Sequence, residues 1–345
     1  MPGPTIPSKV SFIIIVLLGF WPMFVLSHPA GDLYQQALSA IQDKHLQQAE
    51  SLLEQAITKF PAYAEAHHLL GMVQYQRAQD PTIAISALKQ AVRLNPSLAQ
   101  AYYDLGLLLL QQEQMDEAQE QFQHVLTLYP GFWEARLTLA KMYDQRGETD
   151  RAVQAYEAVL TQQPSASEAL YLLAYHLMQR NHRDQASDLL IRLTDQNPTH
   201  TEGWYLRGRL AEQHDHMDQA IKAYQQVLHI NPNHKEAHYN LGFLFQQQHQ
   251  PIKAIEHFQR VTQLHPSDAE AYFNVGVLFV TQNQLGQAEE AYNKGIELQP
   301  DSVEGQFNVG AFYEFHKQDL QKAKYHYQNY LDLGGTDPRI QKLMQ

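Results

Sequence analysis

The chain has 345 residues, 44% of them hydrophobic and 18% charged, a balance that can bury a core and excludes a disordered tract. Lys and Arg number 25 against 37 Asp and Glu, and the net charge of −12, with no Lys/Arg-rich run, excludes an electrostatic nucleic-acid scaffold. There is no cysteine, so disulfides, thiolate zinc sites, catalytic thiols and cysteine-linked lipids are excluded as well.

The first element is apolar. Residues Phe12–Leu26 form a nearly unbroken run, FIIIVLLGFWPMFVL, preceded by Lys9 and followed by Asp32 as the first acid. A basic flank before such a run has the form of an export signal. The run is short for a membrane-spanning helix, which needs roughly 20 residues. Val25-Leu26-Ser27 offers a cleavage site, made imperfect by Pro29. Residues 1–29 are therefore read as a signal peptide or an uncleaved N-terminal anchor, with 12–26 as the one expected membrane contact. Either reading carries the rest of the chain out of the cytoplasm: to the periplasm, to the inner membrane facing it, or to secretion.

From residue 30 a period takes over. Ala49, Ala84, Ala118, Ala152, Ala186, Ala220, Ala254, Ala288 and Ala323 stand 34 or 35 apart, and Pro61, Pro96, Pro130, Pro164, Pro198, Pro232, Pro266 and Pro300 keep the same step. Twelve or thirteen places before each alanine is a small residue: Ala37, Gly71, Gly106, Ala140, Ala174, Gly208, Gly242, Gly276 and Gly310. Four places after it is a large one: Leu53, Leu88, Phe122, Tyr156, Leu190, Tyr224, Phe258, Tyr292 and Tyr327. Small residues let two helices approach, the large residue fills the space on the same face, and proline ends the second helix. Length alone would predict two or three domains, but a 34-residue period predicts stacked helix pairs that bury their apolar faces only against neighbours.

WYLRG at 204–208, with Ala220, Tyr224 and Pro232, closely resembles the tetratricopeptide signature, and YNLG at 239–242 and FNVG at 273–276 and 307–310 are similar. The resemblance covers roughly residues 30–333 and implies an all-α fold, a right-handed α-solenoid of nine repeats at about 30–63, 64–98, 99–132, 133–166, 167–200, 201–234, 235–268, 269–302 and 303–333, closed by a C-terminal cap at 334–345. The second and ninth repeats carry one extra residue, in the second near Ala78-Gln79-Asp80-Pro81; Asp337-Pro338 is expected to start the capping helix.

The same resemblance implies that the first helix of each repeat lines a concave groove, and it selects the inward side chains. Tyr103, Tyr171, Tyr205, Tyr239 and Phe273 form an aromatic row, and Asn240, Asn274 and Asn308 an amide row able to bracket an extended peptide. Lys141 and Arg209 are the inward cations, facing an acidic partner group or pairing with Asp144 and Glu212. The tyrosines equally suit packing between adjacent first helices, and the asparagines bonding within their own repeat. Glu65, Glu134, Glu168, Glu202, Glu236, Glu270 and Glu304 recur in first turns, where an acid offsets the helix dipole; the alternative is a strip selecting basic peptides. Chaperone-tail binding is disfavoured, because aromatics occupy the rung where the clamp's first lysine would stand.

There is no phosphate-binding Gly-rich loop, G-x-S-x-G or H-E-x-x-H. His67-His68, His214, His216, His234 and His238 lack a third metal ligand in sequence. The reading is a non-enzymatic, cofactor-free and metal-free scaffold. It binds an extended peptide or partner helix, mainly through the last five repeats, within a bacterial-type envelope assembly. The alternatives are a membrane-anchored structural subunit acting through its convex face or ends, and an accessory chain of an enzyme modifying envelope sugar or peptide.

Overall fold

The computed structural model describes residues 30–345; the expected signal or anchor at 1–29 lies outside them. The described residues are helical throughout, with no strand among them. They form two compact units, one ending at Arg180 and the other spanning Asn181–Gln345. The first holds α1 (Gly31–Gln42), α2 (Leu46–Lys59), α3 (Ala64–Ala78), α4 (Pro81–Leu94), α5 (Ala99–Gln111), α6 (Met115–Leu128), α7 (Trp133–Gln145), α8 (Thr149–Gln162) and α9 (Ser167–Gln179). The second holds α10 (Arg183–Gln196), α11 (Thr201–Gln213), α12 (Met217–Ile230), α13 (Lys235–Gln247), α14 (Pro251–Leu264), α15 (Ala269–Thr281), α16 (Leu285–Leu298), α17 (Val303–Phe312), α18 (Leu320–Asp332) and α19 (Pro338–Met344). Within each unit helices pack in chain order as hairpins, each laid against the next. The expected all-α repeat solenoid is the class found.

The ladders carry the packing. All nine ladder alanines are fully buried, and Leu53, Leu88, Phe122, Tyr156, Leu190, Tyr224, Phe258 and Tyr327 are too. The small residue on the partner helix seats the large one: a methyl built on Gly106 would lie 2.8 Å from the Phe122 ring, and one on Gly242 2.7 Å from Phe258. Any larger side chain there would displace the ring that the hairpin is built around.

Each hairpin turn holds one residue in the left-handed region. Lys44, Gln79, Glu113, Gly147, Asn181, Asp215, His249, Asn283 and Gln318 have φ from 55° to 71°, at the repeat spacing. Only one of them is glycine, so composition gives little sign of this fifth ladder. The prolines act as expected and do more. Before each stands an extended residue, Asn231 for instance at φ −128° and ψ 92°, since proline disfavours helix in the residue it follows. At five of the eight ladder prolines the carbonyl then accepts a side-chain hydrogen bond from six residues on: from Arg136 to Pro130 (2.7 Å), Trp204 to Pro198 (2.9 Å) and Gln306 to Pro300 (2.7 Å). His67 and His238 reach Pro61 and Pro232 at 3.0 Å in the same way.

The two irregular repeats are absorbed differently. In the second, α3 runs to Ala78, Gln79 turns left-handed, and the Asp80 carboxylate caps α4 at the Thr82 N–H (2.8 Å). In the ninth, α17 passes into a π-helical turn at Tyr313–Lys317. Asp337 caps α19 through the N–H groups of Arg339 and Ile340, as expected from Asp337-Pro338. Ile340 is fully buried, and Arg339 bonds Glu314 (2.8 Å) and the Tyr327 hydroxyl (3.0 Å).

Candidate functional site

The first helices of the second unit leave a stripe of side chains unburied. On α13 it runs Glu236, Asn240, Phe243, Gln247; on α15 Glu270, Asn274, Val277, Thr281; on α17 Glu304, Asn308, Ala311. Spacings of four and three place each set on one helix face. Neighbouring stripes are held side by side by the aromatic row. The Tyr205 ring stacks on His234 at 5.1 Å, and its hydroxyl bonds Asn240. Tyr239 donates its hydroxyl to Asp268, whose other oxygen meets Lys235 at 2.5 Å. Burial alone would raise the Asp268 pKa, but Lys235, Tyr239 and the Ala271 N–H together hold it below the usual carboxylate value. Phe273 is buried against Gly295 and Gly305.

The structure thus gives the aromatic row a joining role. Tyr103, in the first unit, lies between Phe122 and Phe132 at 5.7 and 5.0 Å, where burial pushes its phenol up to about 12. Tyr171 is half-buried and already engaged. Lys141 pairs with Glu168 of the next first helix at 2.8 Å, and not with Asp144. Asp144 instead accepts from Tyr156 at 2.6 Å and lies 2.7 Å from His176.

The amides differ from one another. Asn240 is engaged by the Tyr205 and Tyr224 hydroxyls. The Nδ2 of Asn274 is buried with no hydrogen-bond partner, and Asn308, half-buried, makes no hydrogen bond among the described residues. Arg209, on α11, has no ion pair among the described residues, though Glu212 and Tyr205 feel its charge. Glu212 is itself raised by burial and accepts from the Tyr224 hydroxyl.

The histidines have structural partners. His234 and His200 accept the N–H of Ala237 (3.2 Å) and Gly203 (3.0 Å) as helix caps. His68 pairs with Asp104 at 2.7 Å, and the His214 and His216 rings stack at 5.7 Å. His238 meets His257 through their Nδ1 atoms at 2.9 Å. Among the described residues no group of three or more His, Asp or Glu is placed to hold a metal ion. Nor is any helix among them long and apolar enough to cross a membrane.

Tetratricopeptide repeat models match residues 34–78, 75–131 and 103–169, residues 145–210 and residues 235–301, and a TPR repeat model matches 217–248. The chain belongs to the tetratricopeptide repeat family. Solved structures resemble it, TPR proteins among them. The C-terminal part of a TPR repeat-containing protein from Cytophaga hutchinsonii has a TM-score of 0.58 at 14% identity, over 70% of this chain and 99% of that one. The pilF protein of Pseudomonas aeruginosa has 0.50 at 16%, over 61% and 96%. YrrB, described as a TPR protein with an unusual peptide-binding site, has 0.49 at 21%, over 53% and 95%. At these identities the likeness is one of fold. No curated protein matches the sequence.

Phe243 is not among the candidate residues named from the sequence. It is 38% exposed, on the same face of α13 as Asn240. Its place at the end of an Asn240–Phe243 helical step was the available signal.

Proposed function

We propose that this TPR chain is a non-enzymatic scaffold that holds a segment of a partner protein across the open stripes of α13, α15 and α17. The observation that carries the reading is the amide row: Asn240, Asn274 and Asn308 occupy one repeat position on three neighbouring stripes, and two of them have unspent hydrogen-bonding capacity. An amide both donates and accepts, so such a row can bracket a peptide backbone. A family built for protein contact and an absence of enzymatic sequence motifs agree with it. The signal-like run at residues 12–26 supports a place outside the cytoplasm, within an envelope assembly.

The test replaces Asn274 and Asn308 with Ala, alone and together with Asn240→Ala, and measures partner capture beside the thermal midpoint. Capture falls while the midpoint of the double variant holds. Unchanged capture by a folded triple variant removes the amide row from the account. Asn240 is tested separately because its bonds to Tyr205 and Tyr224 give it a part in the fold.

A further inference from the structure

The apolar row beside the amides is open to solvent. Phe243 is 38% exposed and Val277 and Ala311 are half-buried, while Phe315, in the π-helical turn that ends α17, is 59% exposed. On the other side of the amides stand Glu236, Glu270 and Glu304, all exposed. None forms an ion pair with Lys or Arg among the described residues. Lys235, the nearest basic residue in sequence, is taken by Asp268, and Glu236 has only the His234 ring at 3.3 Å, whose Nδ1 is accepting the Ala237 N–H.

We propose that the partner segment is extended and carries a Lys or Arg close to a large apolar side chain. This rests on the amide-row reading and adds the chemistry of the occupant. The apolar side chain covers Phe243 and Val277, removing ring and methyl surface from water. The cation meets the row of glutamates, which together attract it more than any one would. Between the two, Asn274 and Asn308 take the segment's backbone. That favours an extended segment over a helix, because a helix has already satisfied its backbone N–H and C=O groups internally. The footprint ends at α11, where Leu206 replaces the amide and Arg209 the apolar residue; the guanidinium there repels a cationic side chain. An acidic chain, net −12, agrees with a cationic ligand.

The test uses the full chain, immobilised, against a phage-displayed library of random dodecapeptides. Captured peptides carry Lys or Arg within a few positions of Leu, Ile, Phe or Met. Their affinity falls about tenfold when salt rises from about 0.05 to about 0.5 M, since exposed charges are screened. The variant Glu236→Gln, Glu270→Gln, Glu304→Gln loses the preference for basic residues and the salt dependence but keeps the apolar preference. Phe243→Ser loses the apolar preference and keeps the basic one. Acidic or uncharged peptides whose capture needs Asn274 and Asn308 but ignores the glutamates would overturn this inference and leave the amide-row reading standing. Basic peptides indifferent to both variants would overturn it as well. If no captured peptide depends on Asn274 and Asn308, both readings fail together.

Discussion

His249, with φ at 55°, shows what the hairpin turns demand of single residues. A left-handed backbone costs an ordinary L-residue about 1–2 kcal/mol, and glycine loses part of that advantage to its greater freedom when unfolded. His249→Gly should therefore stabilise the protein by about 0.5–1 kcal/mol, read as a higher urea midpoint. Gly147→Ala should move the midpoint the other way, as φ there is 71°. His257 gives the fold a pH dependence. Burial, and then the neighbouring His238, lower its pKa from 6.5 to about 4. His238 directs one ring nitrogen at the Pro232 carbonyl and the other at His257, so only one proton fits between the two rings. Burial lowers His238 too, and the charges of Arg260 and His234 act in the same direction. A base depressed in the fold favours folding above its unfolded pKa, near 6.5, and that contribution is lost as pH falls from there toward 4. In urea titrations His257→Gln should lose less stability across that window than the parent; equal slopes would free the pair of this role.

At the scale of elements, the hairpin is a ring seated on a glycine or alanine. Gly242→Val places its Cβ 2.7 Å from the ring of the fully buried Phe258. Overpacking of this kind costs about 1–3 kcal/mol, and more where the neighbour is rigid. A loss under about 1 kcal/mol in denaturant melts would show that the ring can shift. The cap α19 hangs on Ile340, and Ile340→Ala should cost about 2–4 kcal/mol locally. Hydrogen exchange would report it first in α18, where Tyr327 is held by Glu314 (2.5 Å) and Arg339 (3.0 Å). The prolines belong to this scale as well: each ends one helix, and at Pro61, Pro130, Pro198, Pro232 and Pro300 the carbonyl receives a side chain from the next.

At the scale of the molecule, charge has two separate jobs. Hairpin-to-hairpin ion pairs such as Arg77–Glu50, Arg146–Asp116 and Lys317–Glu289 are partly exposed, and exposed pairs contribute about 0–1 kcal/mol each. Raising salt to about 0.5 M should thus move the thermal midpoint little while weakening partner capture strongly. A fold that melts early in salt would show these pairs to matter more than their exposure indicates. If the proposed export holds, the mature chain recovered from an envelope fraction begins near Ser27 or retains residues 12–26 as an anchor; N-terminal sequencing decides which.

The amino-acid order by itself determined the fold class. Ladders such as Gly208–Ala220–Tyr224–Pro232 state the helix pair, its close approach and its end, because each step depends on local sterics and a fixed period. It also placed Asp337 as a cap and located the added residue of the second repeat. Tertiary structure alone decided how side chains on one rung divide their work. Tyr205 and Tyr239 were legible as inward aromatics, but whether they face a ligand or the next repeat depends on His234 and Asp268, twenty-nine residues on. Lys141 found Glu168, in the following repeat, over Asp144, three residues on in its own helix. The left-handed turn residues were only partly visible, because Gly147, Asn181, Asp215 and Asn283 are types that favour that conformation whereas Lys44, Gln79, Glu113, His249 and Gln318 carry no mark of it. A repeat dictates its own contacts through spacing, whereas contacts between repeats depend on which side chain of the neighbour reaches back, and spacing does not encode that.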